Sequence, residues 1–253
     1  MSIQILWPIV LLALFCEYID SALGMGYGTT LTPILLMMGY EPVQIVPSVL
    51  LSEFLTGISA GILHHEFGNV NLKPGSRPFK VVMVLAACSV VGTLVAVFIA
   101  VSIPKWVLKT YIGVLVLAMG ITILLTVGKT FVFSWKKVIG LGLVAALNKG
   151  LSGGGYGPLV CGGQVLAGMD EKAAIGITSL AEGLVCIVGV IAYVLTGNGG
   201  VDWRLAPSLA LGAMLSVPLA TLTVKRIPMR KLRGVIGSAV TALGLFTLIK
   251  IVW

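Results

Sequence analysis

Charged side chains are scarce in this sequence. Only 10% of the 253 residues are Asp, Glu, Lys or Arg, whereas 58% are hydrophobic. Soluble domains carry about 25% charged residues, so a chain with so few cannot cover a water-facing surface. Apolar runs at 81–101, 107–127 and 232–253 each have about 20 residues, the length that crosses a hydrocarbon core as a helix. The sequence therefore predicts an all-α polytopic membrane protein.

Residues that usually carry catalysis or hold metals are also few. The two histidines are adjacent, at 64 and 65, near a predicted helix end where interfacial positions are expected. Four cysteines lie within apolar segments at no metal-ligand spacing, which is typical of small buried hydrophobes. Neither a His/Glu metal motif nor a Ser/His/Asp set is present. We expect no metal site, no cofactor and no enzymatic activity.

Acidic residues number only 9 against 17 lysines and arginines, which gives a formal net charge of +8. The basic residues lie mostly in short segments between apolar runs, as the positive-inside rule describes for membrane proteins. A basic face for nucleic acid would instead be concentrated in one domain or helix. We therefore expect the lipid bilayer and a small molecule as partners, and no nucleic acid.

An internal duplication covers much of the chain. Residues 129 positions apart match over about forty residues, which predicts two structural repeats. The first set is Gly24, Gly26, Tyr27, Gly28 and Glu53, and the second is Gly153, Gly155, Tyr156, Gly157 and Glu182. A second register, 124 positions apart, relates the later parts, as in Gly120 and Gly244. The repeats are predicted at 1–127 and 132–253, within a single membrane domain over 1–253.

Each repeat is predicted to contain about four full transmembrane helices and a short segment that follows a glycine-rich break. The short segments, 24–39 and 153–168, either cross the membrane or dip in and return. If they dip, the basic residues divide equally between the two sides. If they cross, four basic residues lie on one side of the membrane and twelve on the other. The four are Lys105, Lys109, Arg204 and Lys250, and the twelve are Lys73, Arg77, Lys80, Lys129, Lys136, Lys137, Lys172, Lys225, Arg226, Arg230, Lys231 and Arg233. The positive-inside rule favours crossing.

Five crossings per repeat is an odd number, so the second repeat is predicted to be inverted relative to the first. Both termini are then expected on the non-cytoplasmic side. The short helices are predicted to begin at Thr29 and Pro158, near the middle of the membrane. Unwound backbone is tolerated at that depth only where protein buries it or where it lines a cavity.

The glycine breaks are the first candidate site. A helix N-terminus directs free N–H groups and a partial positive charge at whatever lies before it, so two such ends suit an anion. Close helix crossing is the alternative explanation for the glycines. Residues expected to contact the substrate are Gly26, Tyr27, Gly28, Thr29, Asn148, Lys149, Ser152, Gly155, Tyr156 and Gly157. The two tyrosines either donate their hydroxyls to substrate or pack.

Glu53 and Glu182 are equivalent residues near the middle of two long apolar helices. A carboxylate there is costly unless it is paired or protonated, so both are candidates for proton coupling or gating. A fixed hydrogen bond to the backbone of the broken helix is equally consistent with their positions. Asp20 and Lys149 are also equivalent, with opposite charge, and are predicted to form an intramembrane pair.

Four features carry a resemblance to a known family: the duplicated G-x-G-Y-G break, Pro33 after its first copy, the mid-helix Glu53 and Glu182, and a G-x-V-[N/D] element after each long helix. On these features the sequence resembles the TauE/SafE family over nearly the whole chain. The resemblance implies transport of small sulfur-containing anions, such as sulfite, sulfoacetate and related sulfonates, across a bacterial-type plasma membrane. The second copy departs from the first, because Pro158 stands where the first has Thr29.

The predicted function is therefore a secondary transporter of a small sulfur-containing oxyanion, with proton-linked alternating access, in a bacterial or archaeal inner membrane. A passive anion channel, or a carrier of another small anion, is the alternative. The sequence leaves open the identity of the anion, the direction of transport, the coupling ion and whether the protein forms a homo-oligomer.

Overall fold

The computed structural model describes residues 5–125, 134–166, 169–196 and 200–226, and scattered helical positions between 238 and 249. Within these ranges the chain forms nine helices and no strand, which confirms the all-α prediction. The helices are α1 Trp7–Leu23, α2 Tyr27–Met37, α3 Pro42–Glu66, α4 Arg77–Ser102, α5 Lys105–Leu125, α6 Trp135–Ser152, α7 Tyr156–Leu166, α8 Glu171–Thr196 and α9 Ala206–Arg226. The last helix predicted, 230–252, lies largely outside the described residues.

Several of these helices are long and apolar enough to cross a membrane. In the described ranges there are four of them: Pro42–Glu66, Arg77–Ser102, Lys172–Thr196 and Ala206–Arg226. Two shorter apolar helices run over Trp106–Thr122 and Val138–Ser152. Large apolar side chains remain exposed on their outer faces, including Phe98 at 71% and Leu195 at 80%. Such faces are stable only against lipid, so the protein is a multi-pass membrane protein.

Local signals set the helix starts. Pro42 is the first residue of α3 and follows a capping box, in which the side chains of Glu41 and Gln44 each accept a hydrogen bond from the backbone N–H of the other residue. At the equivalent position in the second half, Asp170 Oδ1 accepts the backbone N–H of Lys172 and of Ala173 at the start of α8. The two long central helices are thus both capped by an acidic residue on their N-terminal side.

The helices pack in reciprocal pairs between the two halves. Helix α1 of the first half packs against α9 of the second, and their counterparts α6 and α4 also pack against each other. In the same way α3 packs against α9, and their counterparts α8 and α4 pack against each other. Helices α3 and α8, which carry Glu53 and Glu182, pack against each other at the centre. Helices from the two halves of the chain therefore pack against each other throughout the described interior.

Glycines repeat this reciprocity at the level of single residues. A Cβ at Gly120 on α5 would overlap Thr241, and a Cβ at Gly244 would overlap Leu117 on α5. Gly120 and Gly244 are 124 positions apart, and so are Leu117 and Thr241. The same two equivalent positions therefore meet twice, with their roles exchanged.

Candidate functional site

The candidate site begins with two breaks that have the same backbone form. Helix α1 ends at Gly24 (φ +68°), whose N–H donates to Asp20 O at 2.6 Å. Helix α6 ends at Gly153 (φ +70°), whose N–H donates to Lys149 O at 2.8 Å. A left-handed residue at this position is favourable only for glycine and closes the helix end. The sequence located both breaks correctly.

The short helices that follow begin two residues earlier than predicted. Helix α2 begins at Tyr27, after Gly26 (φ +135°), and α7 begins at Tyr156, after Gly155 (φ +77°). The predicted first residues were Thr29 and Pro158. The tyrosines therefore lie in the first turn of each short helix rather than in the unwound segment.

The two breaks are in direct contact. A Cβ at Gly28 would overlap the carbonyl group of Gly153, and a Cβ at Gly157 would overlap the carbonyl oxygen of Gly24. Gly28 and Gly157 are equivalent residues, as are Gly24 and Gly153. The start of each short helix therefore lies backbone to backbone against the break of the opposite half, an approach that only glycine permits.

Protein carboxylates hold the N–H groups at the start of α2. The backbone N–H of Tyr27 donates to Asp20 Oδ1 at 3.1 Å, and that of Gly28 donates to Glu53 Oε1 at 3.3 Å. Negative groups at a helix N-terminus are stabilised by the unpaired N–H groups and the helix dipole. The α2 end therefore attracts anionic groups, and in this conformation two side chains of the protein itself occupy it.

At the second break, side-chain hydroxyl groups rather than carboxylates accept hydrogen bonds from the backbone N–H groups. Ser152 Oγ accepts the N–H of Gly154 at 3.1 Å, and Thr29 Oγ1 accepts the N–H of Gly155 at 3.1 Å. The bond from Gly155 joins the two breaks, because Thr29 belongs to α2. Pro158 is the residue equivalent to Thr29. Because proline has no hydroxyl, the second half cannot make the reciprocal hydrogen bond to the first break.

Lys149 on α6 is the positive charge of the site. Its side chain is 0% exposed, and its Nζ is ion-paired with Glu53 and, at 2.6 Å, with Glu182 Oε1. Glu53 and Glu182 are 3% and 6% exposed. A buried ammonium group is tolerated only when it is paired, and here it joins the equivalent glutamates of the two halves.

Asp20 has a different position from the one predicted. Its carboxylate accepts the Tyr27 N–H, whereas the ion pairs that the structure describes for Lys149 are with Glu53 and Glu182. Equivalence of Asp20 and Lys149 in the sequence fixes their places in the two repeats. It does not fix which helix faces each side chain.

The remaining predicted residues lie within the protein around this cluster. Tyr27 is 0% exposed, and its hydroxyl shares a 2.8 Å hydrogen bond with Ser52 on α3. Tyr156 is also 0% exposed. Asn148 Oδ1 accepts a hydrogen bond from the Tyr111 hydroxyl on α5. Tyr27 and Asn148 are thus hydrogen-bonded to side chains of neighbouring helices, and Tyr156 is enclosed by the protein.

Two features of the interior were not predicted. Glu17 is 2% exposed and lines a small cavity with three other carboxyl groups. His64, in the last turn of α3, is 0% exposed and therefore lies inside the protein. His64 Nε2 donates to Ser21 O at 3.0 Å, while its Nδ1 accepts from Asn69 at 3.1 Å. His64 thereby satisfies a carbonyl of the last turn of α1, which sequence spacing did not indicate.

A multi-pass helical protein with broken helices and a buried ion-paired cluster between its halves has the architecture of a membrane transport protein. The chain belongs to the sulfite exporter TauE/SafE family, whose family model matches residues 9–247.

A curated relative is the probable membrane transporter protein YtnM of Bacillus subtilis (strain 168). The two sequences are 26% identical over 256 residues, which cover 94% of this chain and 81% of the relative. No solved structure matches the chain. Membership of this family and the similarity to a membrane transporter both indicate that this protein functions in membrane transport.

Proposed function

We propose that the protein is a secondary transporter of a small sulfur-containing oxyanion, sulfite or an organosulfonate, that binds beside Lys149 between the two breaks. The observation that carries the proposal is a 0% exposed lysine held between equivalent glutamates of the two halves. An ionisable residue at such a position usually serves transport, because burying it is otherwise unfavourable. The family description supports the sulfur-containing class of substrate.

The geometry supports an exchange of anionic partners at Lys149. In the described conformation two carboxylates neutralise its ammonium group, and Glu53 also accepts the Gly28 N–H. A small oxyanion has several acceptor oxygens, which suit the three N–H donors of a lysine and an adjacent helix N-terminus. When substrate binds, it takes these donors from the glutamates.

Proton coupling follows from this exchange. If a substrate anion replaces Glu53 and Glu182 as the ionic partner of Lys149, the two glutamates remain as unpaired buried charges, which is strongly unfavourable. Uptake of protons by Glu53 and Glu182 removes that cost. The loaded carrier then holds substrate and protons together, and the unloaded carrier holds the glutamate–lysine pairs. Anion and proton therefore cross in the same direction.

Alternating access is supported by the reciprocal packing of the two halves. Inverted repeats with discontinuous helices allow one half to rock against the other around a fixed central site. The proposed topology places both termini on the non-cytoplasmic side of the inner membrane, as the distribution of basic residues predicts.

Uptake of labelled sulfite into proteoliposomes tests the proposal. We expect an inward proton gradient to drive accumulation by the parent protein, by up to about tenfold for each coupled proton and pH unit, because each unit changes proton activity tenfold. Glu53→Gln and Glu182→Gln should lose this accumulation. Glu66→Gln is the matched control, because Glu66 is exposed at the end of the same helix as Glu53.

Three results would argue against parts of the proposal. Sulfite flux that ignores the pH gradient in every variant would indicate a passive anion channel. Gradient-driven uptake of a different anion with no response to sulfite or sulfonate would remove the sulfur specificity. Unchanged accumulation in both glutamine variants would remove the role of the glutamates.

A further inference from the structure

Glu17 on α1 is a buried acid that the exchange at Lys149 does not use. It is 2% exposed, and its Oε1 accepts the Ser21 hydroxyl at 2.6 Å. Its second oxygen, Oε2, is buried and has no hydrogen-bond partner. An unsatisfied buried carboxylate oxygen is rare, because its lost hydration is not replaced. Glu17 is therefore a position where a further group can bind.

A cavity next to Glu17 can supply that group. The cavity has a volume of about 10 Å³, close to the minimum of about 10–15 Å³ that one water molecule requires. It is lined by residues of α1, α3 and α8: Glu17, Asp20, Glu53, Thr56, Gly57, Ala60, Ser179 and Glu182. Four carboxyl groups therefore surround a space that accommodates a single water or hydronium.

Negative charge dominates the surroundings of Glu17. The acidic groups near it are Asp20 on α1, Glu53 on α3 and Glu182 on α8, and the Cys16 thiol on α1 and the Tyr27 hydroxyl on α2 are the other titratable groups close to it. Lys149 is the nearby cation, and it is already paired with Glu53 and Glu182. In the part of the chain that the structure describes, no three acidic, histidine or cysteine side chains are grouped as a metal ion requires. The cavity has room for one water-sized group, and a proton carried by that water would neutralise a carboxylate here.

We propose that Glu17 is a coupling-proton site, separate from the glutamates that exchange partners at Lys149. A hydronium in the cavity gives its proton to Glu17 Oε2 and remains as water; on release the proton returns to water and Glu17 regains its charge. This inference rests on the proposed proton-linked transport. It adds one proton acceptor that substrate does not touch.

Glutamine at position 17 resembles the protonated acid and keeps an oxygen for the Ser21 hydroxyl. We expect Glu17→Gln to retain exchange of labelled for unlabelled sulfite without a gradient, because glutamine has nearly the same shape, keeps the acceptor for the Ser21 hydroxyl and lies outside the proposed substrate contacts. Accumulation driven by a pH gradient should fall from the roughly tenfold limit per proton to a ratio near one. Glu17→Asp, which keeps a titratable group, should retain gradient-driven accumulation.

Glu66→Gln is the control that should keep both activities, because Glu66 is exposed at the end of α3. Loss of exchange together with accumulation in Glu17→Gln and Glu17→Asp would overturn the inference in favour of a structural role. Full accumulation by Glu17→Gln, or accumulation that follows a sodium gradient, would also overturn it. If the parent itself shows no proton-driven accumulation, the proposed function fails first, and the role of Glu17 fails with it.

Discussion

Lys149 Nζ lies 2.6 Å from Glu182 Oε1, with both side chains inside the protein, and the same ammonium group also pairs with Glu53. One cation thus joins three helices, α3, α6 and α8, at the level of the breaks. Glu53 and Glu182 are equivalent residues of the duplication, whereas the residue equivalent to Lys149 is Asp20. One lysine from the second half therefore lies between two glutamates that the duplication relates to each other. The stability and the chemistry of the site both depend on this arrangement.

Removing the Lys149 charge should destabilise the protein far more than removing an exposed lysine charge. Lys149→Gln leaves two buried carboxylates without their cation, a change that costs about 3–5 kcal/mol. Lys109 pairs with Glu41 at 3.4 Å with side chains about one-third exposed, so Lys109→Gln should cost under about 1 kcal/mol. Thermal unfolding of the purified protein in detergent measures both. Equal losses would contradict the pairing of Lys149.

Asp20 and Glu182 should differ in their response to neutralisation. Asp20→Asn keeps an oxygen to accept the Tyr27 N–H, so we expect a loss below about 1 kcal/mol, as for exchange between good capping residues. Glu182→Gln removes a charge paired with Lys149, and a hydrogen bond to a charged group contributes about 1.5–3 kcal/mol. Thermal unfolding again gives the comparison. A larger loss for Asp20→Asn would instead support direct pairing of Asp20 with Lys149.

Alanine at either break glycine should disrupt folding to a similar extent. A Cβ at Gly28 or Gly157 would overlap backbone of the opposite break, and overpacking of this kind costs about 1–3 kcal/mol or more. Gly140 on α6 is the control, because a Cβ there meets nothing within 4 Å. Gly140→Ala should be neutral or stabilising by up to about 1 kcal/mol. The yield of monodisperse protein and its unfolding temperature report the result. Tolerance of Gly28→Ala with loss in Gly157→Ala would contradict the reciprocal contact.

The hydroxyl of Thr29 should be needed for the connection between the breaks. Thr29→Val keeps the shape of the side chain but leaves the buried Gly155 N–H without its acceptor, at a cost of about 1–3 kcal/mol. Thr122→Val is the control, because the Thr122 hydroxyl donates to Ala118 O on an exposed face of α5. Its effect should stay within about 0.5 kcal/mol. Similar unfolding temperatures for both variants would show that the Thr29 bond does not stabilise the fold.

Local patterns in the sequence predicted much of the fold. Glycine clusters at 24–28 and 153–157 located the breaks because glycine readily adopts the left-handed backbone that ends α1 and α6. The first residues of α2 and α7 were misplaced by two, since Thr29 and Pro158 fit a first turn as well as Tyr27 and Tyr156 do.

The pairing within the site could not be predicted in the same way. The equivalent positions of Asp20 and Lys149 in the two repeats led to the prediction that they pair. In the structure, the side chain of Lys149 instead lies between α3 and α8, which come from different repeats. Which helices meet is decided by packing across the two halves. Glu17 and His64 illustrate the same limit, because the cavity and the helix end that they serve exist only after α1, α3, α8 and α9 are assembled.

Opposite orientation of the two repeats is the central requirement of this account, and accessibility of two equivalent loop positions tests it most directly. Lys73, between α3 and α4, and Arg204, between α8 and α9, are both exposed. With the four native cysteines replaced, Lys73→Cys and Arg204→Cys are each treated with a membrane-impermeant maleimide in right-side-out and inside-out vesicles. We predict that Lys73→Cys reacts only in inside-out vesicles and Arg204→Cys only in right-side-out vesicles. Reaction of both positions from the same side would contradict the account.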